Sequence, residues 1–239
     1  MDSKKLIKTK NLYKINSCWY NIVENNRHYI QKTKGDGKMI ITIGRQFCSG
    51  GSEIGRKLSE RLGIPYYDKN LYEYAAKNRG FSTKYVKEIE ETPTGSFLYS
   101  LAMFPYVDIG ADSMIPSGIT IAADQTNYIL EKAKEGPCIF VGRCADSVLS
   151  ERKDLLNVFI YSDNETRIKR AVKRYGISEK EAAKSIQQTD KYRASYYNMN
   201  STGKKWGMKE SYHIMLDSGT LGIDGVVDIL EKIYRGKTE

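Results

Sequence analysis

The sequence has few of the features that mark membrane proteins or secreted, disulfide-linked proteins. No apolar run among its 239 residues approaches the ~20 residues that a membrane span needs. The basic N-terminus has no continuous apolar stretch of the kind found in signal peptides. The four cysteines show neither C-x-x-C spacing nor clustered histidine partners, which disfavours a zinc site. We therefore expect a cytoplasmic protein with reduced, packed thiols.

The net charge of +9 is concentrated at one end of the chain. Residues 1–38 contain nine lysines and arginines against three acidic residues, a net charge of +6 that leaves about +3 for the other 201 residues. The main part of the chain is therefore not strongly basic, and a nucleic-acid partner is disfavoured. Salt-dependent binding of nucleic acid through the lysine-rich end stays open as an alternative.

Residues 1–38 differ from the rest of the chain in composition and form either a basic leader or a flexible arm. Lys34, Gly35 and Asp36 can be encoded by a purine-rich, ribosome-binding-like sequence just ahead of the Met39 codon. One hypothesis is therefore that Met39 is the natural start and that residues 1–38 are a translated leader. The other is a genuine N-terminal arm, and the genomic sequence distinguishes the two.

The best-defined motif runs from Met39 to Leu62, MIITIGRQFCSGGSEIGRKLSERL. A β-branched apolar run typical of a buried parallel strand leads into a Ser/Gly-rich turn at residues 49–52, followed by an amphipathic helix. A small-residue loop at a helix N-terminus directs several N–H groups towards one point and favours negative charge there. The motif indicates either a phosphate-binding loop or an ordinary strand–turn–helix.

The motif departs from the P-loop pattern G-x-x-x-x-G-K-[ST] at two positions. When the pattern is laid on residues 45–52, Gly50 falls on the second glycine and Ser52 on the hydroxyl that binds magnesium. Arg45 replaces the first glycine, and Gly51 replaces the lysine. Arg45 is the first candidate to supply the missing positive charge, ahead of Lys57 in the helix. The alternative is a loop that binds phosphate without driving its transfer.

Strand and helix patterns alternate along the rest of the chain, which predicts an α/β fold with a parallel, doubly wound sheet. Two capping boxes, at Ser162-x-x-Glu165 and Ser178-x-x-Glu181, predict where consecutive helices begin. A third long helix is expected over Ser117–Lys134.

Five segments, in order over about 200 residues, resemble the cytidylate-kinase-like family of P-loop nucleoside monophosphate kinases. They are ITIGRQFCSGGSEIGRKLSERLGIPYYD, IFVGRCADSVL, VFIYSDNETRIKRAVKRYGIS, DKYRASYY and LDSGTLGIDGVVDIL. The resemblance implies a three-layer P-loop NTPase fold in residues 39–239. It also implies a helical acceptor-side insertion at about 69–120 and a lid at about 163–208.

The resemblance implies that the loop binds the donor nucleotide. It assigns the β- and γ-phosphates of ATP to six residues: Arg45, Ser49, Gly50, Gly51, Ser52 and Glu53. Among them, Ser52 also falls at the position that ligates Mg²⁺. ATP and Mg²⁺ are therefore the expected cofactors.

The resemblance also implies charged groups around the transferring phosphoryl group and the acceptor. The residues expected to act in catalysis are Arg170, Arg174, Arg193 and Lys191. Those expected to bind the acceptor are Asp68, Arg143 and Asp190. Arg170 and Arg174 are separated by one helical turn, so both can face one ligand, although the same helix could instead present a solvated basic face.

Two departures from cytidylate kinases concern the acceptor. Cys144 replaces the aspartate that follows their Gly-Arg pair, and Ile186 replaces a further arginine, so the residues that would select cytosine differ. We expect ATP-dependent phosphorylation of a nucleoside monophosphate, with CMP or dCMP as the first acceptors to test. The alternatives are a small-molecule kinase with another acceptor and a nucleotide-binding regulator that has lost catalysis.

Overall fold

The computed structural model describes residues 39–68 and 117–236 of the chain. In these ranges five parallel strands form one sheet: β1 (Ile40–Arg45), β2 (Tyr66–Tyr67), β3 (Ile139–Val141), β4 (Leu155–Tyr161) and β5 (Ile214–Asp217). Their order in the sheet is β2-β3-β1-β4-β5, and every neighbouring pair is parallel. The predicted α/β fold with a parallel sheet is confirmed.

Six α-helices accompany the sheet in the described residues: α1 (Gly51–Leu62), α2 (Ser117–Glu135), α3 (Ala145–Val148), α4 (Asn164–Tyr175), α5 (Glu179–Asn200) and α6 (Ser218–Gly236). A short 3₁₀ helix, Lys209–Ser211, precedes β5. No helix in these ranges is long and apolar enough to cross a bilayer. The N-terminal 38 residues and most of the predicted insertion lie outside the described part of the chain.

Two apolar cores cover the two faces of the sheet and create the three layers. Ile41 and Ile43 of β1 belong to the core that contains Ile54 and Leu58 of α1. Ile40 belongs to the opposite core, with residues from α2, α3 and α5. Every one of these isoleucines is almost completely buried, as expected of a central parallel strand covered on both faces.

The position of β1 in the sheet determines where a ligand can bind. β1 pairs with β3 on one side and with β4 on the other, so the strand order reverses direction around it. In open parallel sheets, such a switch point creates a crevice beyond the carboxyl ends of the strands. The Ser/Gly-rich loop follows β1 at this edge, and the Gly142-Arg143 pair follows β3.

The two predicted capping boxes have different outcomes. Ser178 forms the predicted box with Glu181 at the start of α5. At α4, however, the cap is Asp163, whose carboxylate accepts a hydrogen bond from the Thr166 backbone N–H at 2.8 Å. The Ser162 prediction is therefore wrong by one residue. Ser162 is buried, and its backbone N–H instead donates to the side-chain oxygen of Gln46.

Candidate active site

The loop between β1 and α1 is supported by buried hydroxyl groups. Ser49 is fully buried, and its hydroxyl lies within hydrogen-bond distance of the carbonyl oxygens of Gln46 (2.9 Å) and Ile160 (3.0 Å). The Ser218 hydroxyl in turn donates to the Ser49 carbonyl at 2.5 Å. Ser49 therefore supports the loop from beneath, and it does not line the cleft as the predicted phosphate contact would require.

The loop borders a cleft of about 540 Å³ that is rich in cationic side chains. Lining it are the loop residues Arg45 to Glu53 except Ser49, together with Lys173, Tyr175 and three further arginines: Arg170, Arg174 and Arg193. Among these residues, Glu53 is the only carboxylate. The four arginines predicted to converge on the loop therefore line one cleft, where their charges favour a polyanionic ligand.

Arg170 reaches from α4 to the loop itself. Its Nη2 donates to the Glu53 carboxylate at 2.7 Å. The same nitrogen would lie 3.1 Å from a Cβ atom built on Gly50. Its helical neighbours have different environments: Arg167 is buried, whereas Lys169 is exposed and paired with Glu165. The helix is therefore not a uniformly solvated basic face.

Arg193 brings a positive charge from α5 to the end of β1. Its Nη1 donates to the Arg45 carbonyl at 3.0 Å, and its guanidinium carbon lies 5.6 Å from the centre of the Phe47 ring. Burial, together with repulsion from Arg45, lowers the pKa of Arg193 to about 9. A cation held under these conditions gains stability when an anion binds beside it.

Asp190 connects the loop to α4 and α5. One carboxylate oxygen accepts from the Phe47 backbone N–H at 2.7 Å, and the other accepts from Arg167 at 2.5 Å. Phe47 also stacks on Tyr175, with ring centres 6.0 Å apart. Both oxygens of Asp190 are therefore engaged within the protein, which indicates that this residue positions the loop.

Arg45 extends away from the loop, towards the end of β3. Its Nη2 lies 3.6 Å from the Asp68 carboxylate, and its Nη1 would be 1.8 Å from a Cβ on Gly142. The Tyr66 hydroxyl, in turn, lies 2.9 Å from Asp68 and 3.0 Å from the Ser52 carbonyl oxygen. Asp68 thus stands next to both the loop helix and Arg45.

A smaller pocket of about 100 Å³ lies behind Arg45, and Arg45 and Arg193 also line it. The turn after β3 forms one of its walls, where Gly142, Arg143 and Cys144 all have positive φ. Left-handed backbone costs a non-glycine residue about 1–2 kcal/mol and is common at functional sites. Burial lowers the pKa of Arg143 to about 10 despite the nearby Tyr196 ring.

A buried polar network that the sequence did not reveal adjoins this pocket, and its members Asp146 and Tyr197 help to line it. Asp146 accepts hydrogen bonds from the Tyr197 hydroxyl at 2.6 Å and from Asn157 at 3.2 Å, and it lies 3.5 Å from Lys204. Asn157 also accepts from Thr42 across the β1–β4 pair at 3.0 Å. The signal in the sequence was Asp146, the one carboxylate in the stretch IFVGRCADSVL.

Two predicted residues are placed differently with respect to the cleft. Ser52 lines it from the first turn of α1, next to the loop. Lys191 is exposed and is absent from the cleft lining, because it lies on the outer face of α5. The described residues hold no cluster of three or more histidine, cysteine, aspartate or glutamate side chains that could bind a metal.

Comparisons with known proteins are consistent with this geometry. The sequence profile of the cytidylate kinase-like family matches residues 40–220. The chain is 24% identical over 200 residues to a cytidylate kinase from Methanopyrus kandleri, in an alignment that covers 74% of this chain and 91% of that protein.

Solved structures give a second comparison. An uncharacterized protein from Eubacterium ventriosum superposes with a TM-score of 0.62 at 29% identity, covering 83% of this chain and 99% of that one. A shikimate kinase from Bacteroides thetaiotaomicron gives a TM-score of 0.48 at 14% identity, covering 82% and 98%. Because the family profile matches residues 40–220, which is more than half of the chain, this chain belongs to the cytidylate kinase-like family.

Proposed function

We propose that the protein transfers the γ-phosphoryl group of ATP to a nucleoside monophosphate. Membership of the cytidylate kinase-like family supports a phosphotransferase. The cationic cleft beside the loop is the proposed donor site, and the pocket behind Arg45 is the proposed entrance to the acceptor site. CMP and dCMP are the first acceptors to test.

The observation that carries this proposal is the position of Arg45 and Arg193 at the junction of two cavities. Both residues line the loop cleft and the inner pocket. A phosphoryl group passing from one nucleotide to the other would cross this junction. Phosphoryl transfer depends mainly on positioning and on stabilising charge on the transferring group, and guanidinium groups suit this task because they stay charged and bind oxygens bidentately.

The remaining charged residues have supporting roles in this scheme. Arg170 and Arg174 bind donor phosphates from the lid, which is proposed to cover residues 163–208. Arg143 and Asp68 contact the acceptor, and closure of the lid excludes water as a competing acceptor. Asp190 orients the loop through the Phe47 N–H.

The residues present fit a magnesium ion delivered with ATP. Mg²⁺ keeps several waters and is usually bound by one or two protein groups plus substrate phosphates, so Ser52 in the first turn of α1 is a sufficient protein ligand. When bound, Mg²⁺ neutralises charge on the donor phosphates.

The test is a screen of purified protein with ATP, Mg²⁺ and each nucleoside monophosphate, with nucleoside diphosphate formation measured by chromatography. We expect one or more pyrimidine monophosphates to be phosphorylated, and Arg193→Met to abolish the product. A protein that binds ATP but forms ADP with none of the monophosphates would contradict the proposal and favour a regulatory role.

A second candidate is a kinase with a non-nucleotide acceptor. Each oxygen of Asp190 already accepts a hydrogen bond, one from Phe47 and the other from Arg167, which makes this carboxylate less available to an acceptor sugar. Extending the same screen to small hydroxylated acids and sugars tests this candidate. Product formation with one of them, and with no nucleotide, would favour it.

A further inference from the structure

Arg170 lies over the part of the loop where donor phosphates are expected. We propose that Arg170 supplies the positive charge that the loop lacks at Gly51. We further propose that Glu53 holds this guanidinium in the empty site until the phosphates of the donor displace it. The inference rests on the donor site of the proposed function and adds how that site obtains its charge.

The cations that β1 and α1 place near the loop are engaged elsewhere. The guanidinium of Arg45 lies at Asp68 and Gly142, on the acceptor side. On α1, Lys57 pairs with Asp224 at 2.7 Å and Arg56 with Glu60 at 2.7 Å. The charge over Gly50 therefore comes from the lid helix α4 rather than from β1 or α1.

Glu53 occupies the site as a phosphate would. Its carboxylate lies in the first turn of α1, where the helix dipole favours negative charge, and it accepts from the Arg170 fork at 2.7 Å. A phosphate group bound by the loop would compete for the same donor and carries more charge. The side chains of Arg170 and Glu53 are 34% and 37% exposed, so water can replace either partner, and the exchange is not costly.

This arrangement couples donor binding to the lid. A lysine within the loop would be in place whatever the position of α4. Arg170, in contrast, belongs to α4, so phosphates that bind it also fix α4 over the loop. A donor whose phosphates replace Glu53 at Arg170 would then be bound by the loop and by α4 together.

The test is calorimetric titration of the full-length protein with inorganic tripolyphosphate, which has the donor's phosphates but no nucleoside. We expect Arg170→Gln to weaken binding about tenfold or more, because a charge-assisted hydrogen bond is lost. We expect Glu53→Gln to strengthen binding about two- to fivefold, because an exposed ion pair no longer has to be broken.

Matched controls lie on the same helices. Lys169→Gln removes an exposed cation next to Arg170, and Glu60→Gln removes an exposed carboxylate from α1. Neither side chain lines the cleft, so neither change should alter the affinity. A gain of affinity in Glu53→Gln cannot come from a misfolded variant.

A spectroscopic measurement tests the displacement directly. In protein labelled with ¹⁵N-arginine, the Arg170 side-chain signal, assigned with Arg170→Gln, should differ between wild type and Glu53→Gln without ligand. The two signals should converge once tripolyphosphate saturates the site, because Glu53 no longer contacts Arg170.

Three results would overturn the inference: wild type that does not bind tripolyphosphate, Arg170→Gln that binds as tightly as Lys169→Gln, or Glu53→Gln that binds more weakly than wild type. Saturated signals that stay apart would overturn the displacement by Glu53. Because tripolyphosphate binding needs no acceptor, a protein that passes this test but forms no ADP would contradict only the proposed function.

Discussion

A side chain at position 51 would collide with Arg45. The Cβ that it would add lies 2.6 Å from the Arg45 Cβ and 2.9 Å from its Cγ, closer than real Cβ atoms approach. The two departures from the P-loop pattern are therefore physically coupled. Arginine at the first glycine position fills the space in which the lysine would begin, so position 51 has to be glycine.

This coupling predicts the result of restoring the lysine. Gly51→Lys alone should destabilise the protein by about 1–3 kcal/mol through overpacking. The double variant Arg45→Gly/Gly51→Lys should lose less stability than the two single variants lose together. We expect the difference to be about 0.5–3 kcal/mol. Urea unfolding of the four proteins gives this interaction free energy. Additive effects would show that Arg45 simply moves aside.

Arg193 should be important for activity and unnecessary for folding. Burial lowers its pKa to about 9, which means that the empty site destabilises the cation, and Asp190 keeps Arg167 as its partner without it. We expect Arg193→Met to change the free energy of unfolding by no more than about 1 kcal/mol or to stabilise the protein. Phosphoryl transfer should fall by ~10³-fold or more.

Thermal unfolding with and without tripolyphosphate tests the same residue. Wild type should gain stability from the ligand, and Arg193→Met should lose most of that gain. Lys184→Met, a change at an exposed position of the same helix, is the control and should behave like wild type. An Arg193→Met protein that is strongly destabilised without ligand would identify the arginine as structural.

Gly50 is expected to tolerate no side chain. It has a φ of +87°, and a Cβ there would lie 2.3 Å from Ile223 and 3.1 Å from the Arg170 guanidinium. Gly63 has a φ of +65° with open space around it. Gly63→Ala should therefore cost only the backbone strain of about 1–2 kcal/mol.

Gly50→Ala should cost more than Gly63→Ala in chemical denaturation, because Ile223 or the loop has to move as well. It should also weaken tripolyphosphate binding, which Gly63→Ala should leave unchanged. Equal losses of stability in the two variants would mean that the loop adapts without strain.

Asp190 should act on the reaction through the loop. Asp190→Asn removes the charge that pairs with Arg167 and accepts from the Phe47 N–H, and we expect a loss of about 1–3 kcal/mol in stability. Asp154→Asn breaks a comparable ion pair with Arg152, remote from the cleft. Both variants should be destabilised, but only Asp190→Asn should weaken tripolyphosphate binding.

Affinity and urea unfolding measured on both variants separate these roles. If Asp190→Asn loses stability but keeps full affinity for tripolyphosphate, the residue supports the fold and does not position the loop.

The sequence predicted the strands and helices of the described region well, because local patterns determine them. The β-branched run in β1 and the repeat of Ile54 and Leu58 in α1 are each consistent with one buried face. The error at the start of α4 has a tertiary cause. Ser162 has a side chain suited to capping, but its backbone N–H is bound by Gln46 from another segment, and Asp163 caps the helix.

The sequence alone determined the loop, the order of the elements around it and the excess of arginines, since spacing along the chain sets all three. The sequence could not determine where each charged side chain lies in the folded protein. Arg45 is the candidate that the sequence offers to replace the missing lysine, yet its guanidinium lies beside Asp68. Arg170, from a helix more than a hundred residues later, lies over the loop. Only the folded chain decides this, because it depends on which side chains share the space above Gly51.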